Sequence, residues 1–205
     1  MPQNTQAVTA AERTRVRDLA KTFLDYAARP EMAERTALWY AHNELKGPRP
    51  MVVFEAWPVL GEFMPPLACQ SPLAREIESQ LLEQIVMHDA IGDDKVITPE
   101  FHVGMDIHLR EYDMDVSRRH AADDKGRQLG FQVDYPITDL VAQLPRLKPS
   151  VYRVDRESTR AHKAAVEEVI GDLMPVRIEN NSQTWYGAVS GRLVMLMGME
   201  RISSR

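Results

Sequence analysis

Three glutamates close segments of this sequence that read as β-strands. Glu55 follows Met51-Val-Val-Phe54, Glu100 follows Lys95-Val-Ile-Thr98, and Glu179 follows Pro175-Val-Arg-Ile178. Carboxylates drawn together on a partly dry surface push their pKa values apart. One can then serve as a protonated acid and another as a base, or together they can bind a cation. The competing reading is three solvated loop glutamates or ordinary ion-pair partners. His102 lies two residues beyond Glu100, so on an extended chain both side chains point to one face. An imidazole there suits proton shuttling or metal ligation, and equally a hydrogen-bonded packing role. Trp57 and Trp185 follow the first and third strands and offer aromatic walls for a flat or apolar ligand, or plain core filling. Asn180, with Asn181, can donate hydrogen bonds to a ligand or close an Asx turn.

The other candidates carry blander expectations. His108 sits in an alternating segment and reads as structural, while His42, His88, His120 and His162 fall near helix ends or exposed turns. Cys69, the only cysteine, lies in a Pro-rich loop with no histidine nearby in sequence and reads as a bystander. One cysteine excludes an intramolecular disulfide and a Cys-based zinc cluster within the chain. No metal or cofactor is expected in this chain.

Helices and strands alternate around these residues. Thr9-Ala-Ala-Glu12 reads as a capping box, followed by an apolar stripe through Val16, Leu19, Ala20, Phe23, Leu24 and Ala27. A second helix spans about 31–43, and Lys46-Gly-Pro-Arg-Pro50 breaks it. Met51–Phe54 is a continuous apolar run, the pattern of a strand buried on both faces. Ser71-Pro72 starts a helix carrying Leu73, Ile77, Leu81 and Ile85. Met105–Leu109 alternates, Gln128–Tyr135 is placed to pair back as a hairpin, and Thr138 caps a short helix. Helices are expected over about 157–170 and 184–198, on either side of the strand at 175–178.

The 205 residues include 25 Lys plus Arg against 30 Asp plus Glu, a net charge of −5, with the basic residues scattered. That is not the electrostatic footprint of a nucleic-acid binder. No stretch has the length and apolarity of a membrane span, and the start lacks the pattern of a secretory signal, so a cytoplasmic protein is expected.

Strand, helix, strand, helix, strand, helix after two leading helices implies βα units around a parallel sheet. Three segments, in order, resemble the uroporphyrinogen decarboxylase-like superfamily. Asp94-Lys-Val-Ile-Thr-Pro-Glu-Phe101 is similar to that family's second barrel strand, which ends in an acidic residue. Asp134-Tyr-Pro-Ile-Thr-Asp-Leu-Val-Ala-Gln-Leu-Pro-Arg-Leu147 is similar to its segment leading out of a hairpin excursion. The helix at 157–170 with Met-Pro-Val-Arg-Ile178 is similar in placement to its next helix and strand. The resemblance covers about residues 45–200 and the N-terminal half of a family member.

The resemblance implies an α/β fold: a partial (β/α)8 TIM-type barrel of about three βα units, preceded by two helices. Residues 1–44 would form an N-terminal helical segment and 45–205 the first part of the barrel, truncated at the end of the chain. In such a barrel the loops after the strands form the active-site face. Glu100 and His102 would then be catalytic, with Glu55, Trp57, Glu179, Asn180 and Trp185 binding substrate. The implied function is a lyase removing carboxylate side chains in porphyrin biosynthesis. Family decarboxylases carry arginines after the first strand, whereas Phe54–Phe63 has none, and Glu100 stands where they have aspartate. A divergent member with a different small-molecule substrate is therefore expected. The alternatives are a corrinoid-linked methyltransferase, whose zinc or corrinoid would involve a missing half, and a non-catalytic half-barrel, inert alone or folding only with a second copy or a complementary half. A complete small α+β domain would instead show an antiparallel sheet built around residues 103–134.

Overall fold

A computed structural model of the chain describes residues 7–55, 59–122, 128–180 and 189–203. In chain order the elements are α1 (Ala10–Ala27), α2 (Pro30–Asn43), α3 (Leu60–Phe63), α4 (Pro72–Ile91), β1 (Phe101–Gly104), β2 (Ile107–Arg110), β3 (Ser117–Ala122), β4 (Gln128–Asp134), α5 (Leu140–Gln143), β5 (Val151–Val154), α6 (Arg156–Ile170), β6 (Val176–Glu179), α7 (Val189–Met197) and α8 (Met199–Ser203). They divide into two compact units, Met1–Val103 with Arg160–Ile178, and Gly104–Thr159 with Glu179–Arg205.

In the first unit the capping box forms as its residue types dictate. The Thr9 hydroxyl accepts from the Glu12 amide at 3.2 Å, and the Glu12 carboxylate accepts from the Thr9 amide at 2.9 Å. Val16, Ala20 and Phe23 on α1 are buried with Ala74, Ile77, Leu81 and Ile85 on α4, and Val166, Val169 and Ile170 on α6 complete the same core. The four-residue spacing on α4 is what lays its apolar side chains on one face. Ser71 sits at the start of α4, as expected, yet its hydroxyl makes no capping bond. Glu12, reaching over from α1, accepts from the Gln70 and Ser71 amides at 2.7 and 2.8 Å instead.

The second unit is built from antiparallel pairs. Ile107 faces Val154 in β2–β5, and Ser117 faces Asp134 in β3–β4, with an irregularity after His120. The β3–β4 pair lies where the α+β alternative places its antiparallel sheet. Asp139, rather than Thr138, caps α5 by accepting from the Ala142 amide at 3.0 Å. A small core of Met114, Ile137, Leu196 and Met197 holds this unit together.

The partial (β/α)8 barrel is not present. The described strands form three separate two-stranded sheets, β1 with β6, β2 with β5 and β3 with β4. Two of the expected barrel strands fail to form, and local hydrogen bonding explains both. Met51–Phe54 is extended, but the Val52 amide donates to the Asp94 carboxylate at 2.8 Å and the Val52 carbonyl accepts the Asp94 amide at 2.8 Å. The Phe54 amide donates to Asp93 at 2.9 Å. A turn thus takes the bonds that a neighbouring strand would need. Instead of being buried on both faces, Val52, Val53 and Phe54 are 59, 44 and 45% exposed. At Lys95–Thr98, the Lys95 carbonyl accepts from Arg35 at 2.9 Å and the Ile97 amide faces the Met32 sulfur at 3.3 Å. Pro99 offers no donor, so pairing begins only at Phe101. The Phe101 amide donates to the Pro175 carbonyl at 2.9 Å, and four residues further along both strands the Met105 amide donates to the Glu179 carbonyl at 3.0 Å. β1 and β6 therefore run parallel.

Candidate active site

The β1–β6 pairing assembles a polar group that neither strand holds alone. In a parallel pair, the bond from Phe101 to Pro175 sets Phe101 beside Val176, and both are buried. The next residues, His102 and Arg177, then stand side by side on the outer face. Glu100 lies just before β1 and reaches the same face. Its Oε1 is 3.4 Å from His102 Nε2, and its Oε2 accepts from Arg177 Nε at 3.3 Å. One carboxylate bridges an imidazole and a guanidinium.

This is an arrangement with graded access. The Glu100 and His102 side chains are 33 and 35% exposed and that of Arg177 is 66% exposed. The His102 carbonyl accepts from Gln80 Nε2 at 3.1 Å, which ties the start of β1 to α4. Chemically, the imidazole can give or take a proton, the carboxylate fixes the ring and offsets its charge, and the guanidinium can hold an anion.

The structure therefore brings Glu100 and His102 together, as their two-residue spacing implies. The barrel mouth that was to gather Glu55, Glu100 and Glu179 goes with the barrel. Glu55 is exposed at the end of the segment held by the Asp93–Asp94 turn. Glu179 and Asn180 are exposed and belong to the second unit, where the Glu179 carbonyl accepts from Met105. Trp57 and Trp185 lie outside the described residues, as does Asn181. Arg177 is the residue that sequence reasoning passed over. It stood within a recognised strand, but only the pairing of β6 with β1 gives it a role.

One other residue differs from expectation. His88 is not at the surface: its side chain is 11% exposed, with Nε2 at 2.7 Å from Glu31 and Nδ1 at 3.3 Å from Asp89. Tyr26 packs edge-on against it and donates to Asp89 at 2.7 Å. Cys69 is buried, and its thiol is pushed up to about 11 by burial and by the neighbouring Glu78 carboxylate, so it is no nucleophile.

Among the described residues no group of three or more His, Cys, Asp or Glu side chains is placed to hold a metal ion, and no helix is long and apolar enough to cross a membrane. No protein-family model, curated protein or solved structure matches the chain.

Proposed function

We propose that this chain transfers a proton to or from a small carboxylated molecule at Glu100, His102 and Arg177. The observation that carries the reading is the single carboxylate of Glu100 bridging His102 and Arg177. Arg177, the most exposed of the three, holds a substrate carboxylate through paired N–H bonds. His102 moves the proton, and Glu100 orients the ring. A carboxy-lyase, the activity implied by the resemblance, needs this equipment. The bond to the departing carboxylate breaks, carbon dioxide leaves, and the electron pair left on carbon takes a proton from His102. The methyltransferase alternative is distinguished by a requirement for zinc and corrinoid.

The test is a panel of di- and tricarboxylates and porphyrinogen-type polycarboxylates, followed by release of carbon dioxide and by solvent-deuterium incorporation. His102→Gln and Arg177→Gln are expected to lower turnover about 100-fold or more with unchanged thermal melting. Absence of both turnover and any ligand-induced shift of the His102 ring resonances defeats the proposal. The solvent exposure of all three side chains favours a second reading, a carboxylate-binding site without turnover. It predicts binding that Arg177→Gln abolishes and His102→Gln leaves intact.

A further inference from the structure

We propose that Met51–Glu55 is the seam of a homodimer, in which this segment pairs antiparallel with its copy on a second chain about a two-fold axis at Val52.

The backbone supplies the first argument. In an extended chain, successive residues direct their N–H and C=O groups to alternate edges. Val52 turns both groups to Asp94, and Phe54 turns its amide to Asp93. Pro50, which has no N–H, falls on that same occupied edge. Met51 and Val53 therefore direct their groups to the opposite edge, where no backbone or side-chain partner meets them among the described residues. The segment is one edge short of a strand, with exposed apolar side chains at Val52, Val53 and Phe54. Such an edge recruits another strand.

The sequence supplies the second argument, the identity of that strand. A two-fold axis at Val52 sets Met51 opposite the partner's Val53, so the two unsatisfied residues bond to each other. It also sets Arg49 opposite the partner's Glu55, at both ends of the seam. Three N–H groups of Arg49 are engaged by Asp94 and by the Pro50 carbonyl, which leaves two of its five donors for a second carboxylate. Glu55 is exposed and makes no ion pair among the described residues. An axis one residue further on, at Val53, also matches open edge to open edge, but it lays Glu55 against the partner's Met51 with no cation facing it. Charge selects the axis at Val52.

A seam this short belongs with weak associations, so the measurement is sedimentation or light scattering on the full chain from about 1 to about 200 μM. The expected result is a concentration-dependent dimer. Val53→Lys, which places a charge on the open edge, and Glu55→Lys, which sets a lysine against the partner's Arg49, are each expected to return the monomer mass. Neither side chain is buried, so thermal melting should stay unchanged. The axis is read with Val52→Cys: a residue on the two-fold meets its own copy and forms an intermolecular disulfide under mild oxidation, whereas Phe54→Cys does not. Cys69 is buried and contributes no background. A monomer throughout the concentration range overturns the proposal. So does a dimer that survives both lysine variants, or one in which Val52→Cys fails to cross-link.

Discussion

Arg15 Nε donates to the carboxylate of Glu78 at 3.1 Å, and this links a half-exposed cation on α1 to a side chain on α4 with no solvent exposure. The same carboxylate accepts from the Cys69 amide at 2.8 Å and from the Ala68 amide. Glu78 thus fastens the loop before α4 to the helix itself. Burial alone would push its carboxyl up. The bonds from Cys69, Ala68 and Arg15 outweigh that and hold it below the usual carboxylate range. Replacing Glu78 by alanine strands the buried Cys69 amide, removes the acceptor of the Ala68 amide and frees Arg15 into solvent. The expected loss is about 3 kcal/mol, read from urea unfolding. Glu78→Gln should lose less, because one carbonyl oxygen still accepts.

Glu12 links the starts of two helices and carries a pH signature. Amide bonds from Ser71, Thr9 and Gln70 hold its carboxyl down at about 2, against an ordinary value of 4.5. A depressed carboxyl contributes stability that is fully present above the ordinary value and is lost as pH falls towards the folded value. Wild-type melting temperature should therefore drop as pH falls from about 4.5 to about 2. Glu12→Gln should melt lower than wild type at neutral pH, with the difference closing across that window. A constant difference from neutral pH down to pH 2 contradicts the assignment.

The same two residues show what a linear reading can and cannot see. Thr9 and Glu12 are three apart, so their mutual bonds are written in the sequence, and α1 begins where they say. Glu100 and His102 are two apart and share a face for the same local reason. Glu12 on the Ser71 amide, and Arg177 on Glu100, join residues 59 and 77 positions apart, and no local period encodes them. Met51–Phe54 failed differently. Its composition records a preference for an extended conformation, but strand formation needs a partner. Asp94, 42 positions away, takes the Val52 amide through its carboxylate while Arg49 holds that carboxylate in place.

Cys69 offers a probe of the first unit. Its thiol is raised to about 11 by burial and by the adjacent Glu78 carboxylate, so at pH 8 it presents almost no thiolate, and its side chain is closed off from solvent. An aromatic disulfide reagent should leave the native protein unmodified and titrate one thiol per chain after unfolding in guanidinium. In Glu78→Ala, where the loop holding Cys69 loses its anchor, labelling should accelerate under native conditions. Rapid labelling of the native wild type would show that the loop opens freely.

Gly198 separates α7 from α8 and holds φ at +81°, a left-handed conformation that other residues adopt only with strain. Its amide donates to the Val194 carbonyl at 2.8 Å, which closes the last turn of α7. A Cβ at this position would lie 2.8 Å from the Tyr135 ring, closer than carbon atoms can pack. Gly198→Ala therefore meets two penalties, the backbone strain of about 1–2 kcal/mol and displacement of Tyr135. Because Ile137, two residues past Tyr135, bonds through its amide to Leu196 and shares a small core with it, the second unit should lose stability as a whole. Hydrogen exchange is the measurement: amides of α7 and of residues 131–137 should lose protection, while those of α1 and α4 keep theirs. Equal loss in both units would mean that Gly198 reports on the entire chain rather than on the packing of α7 against Tyr135.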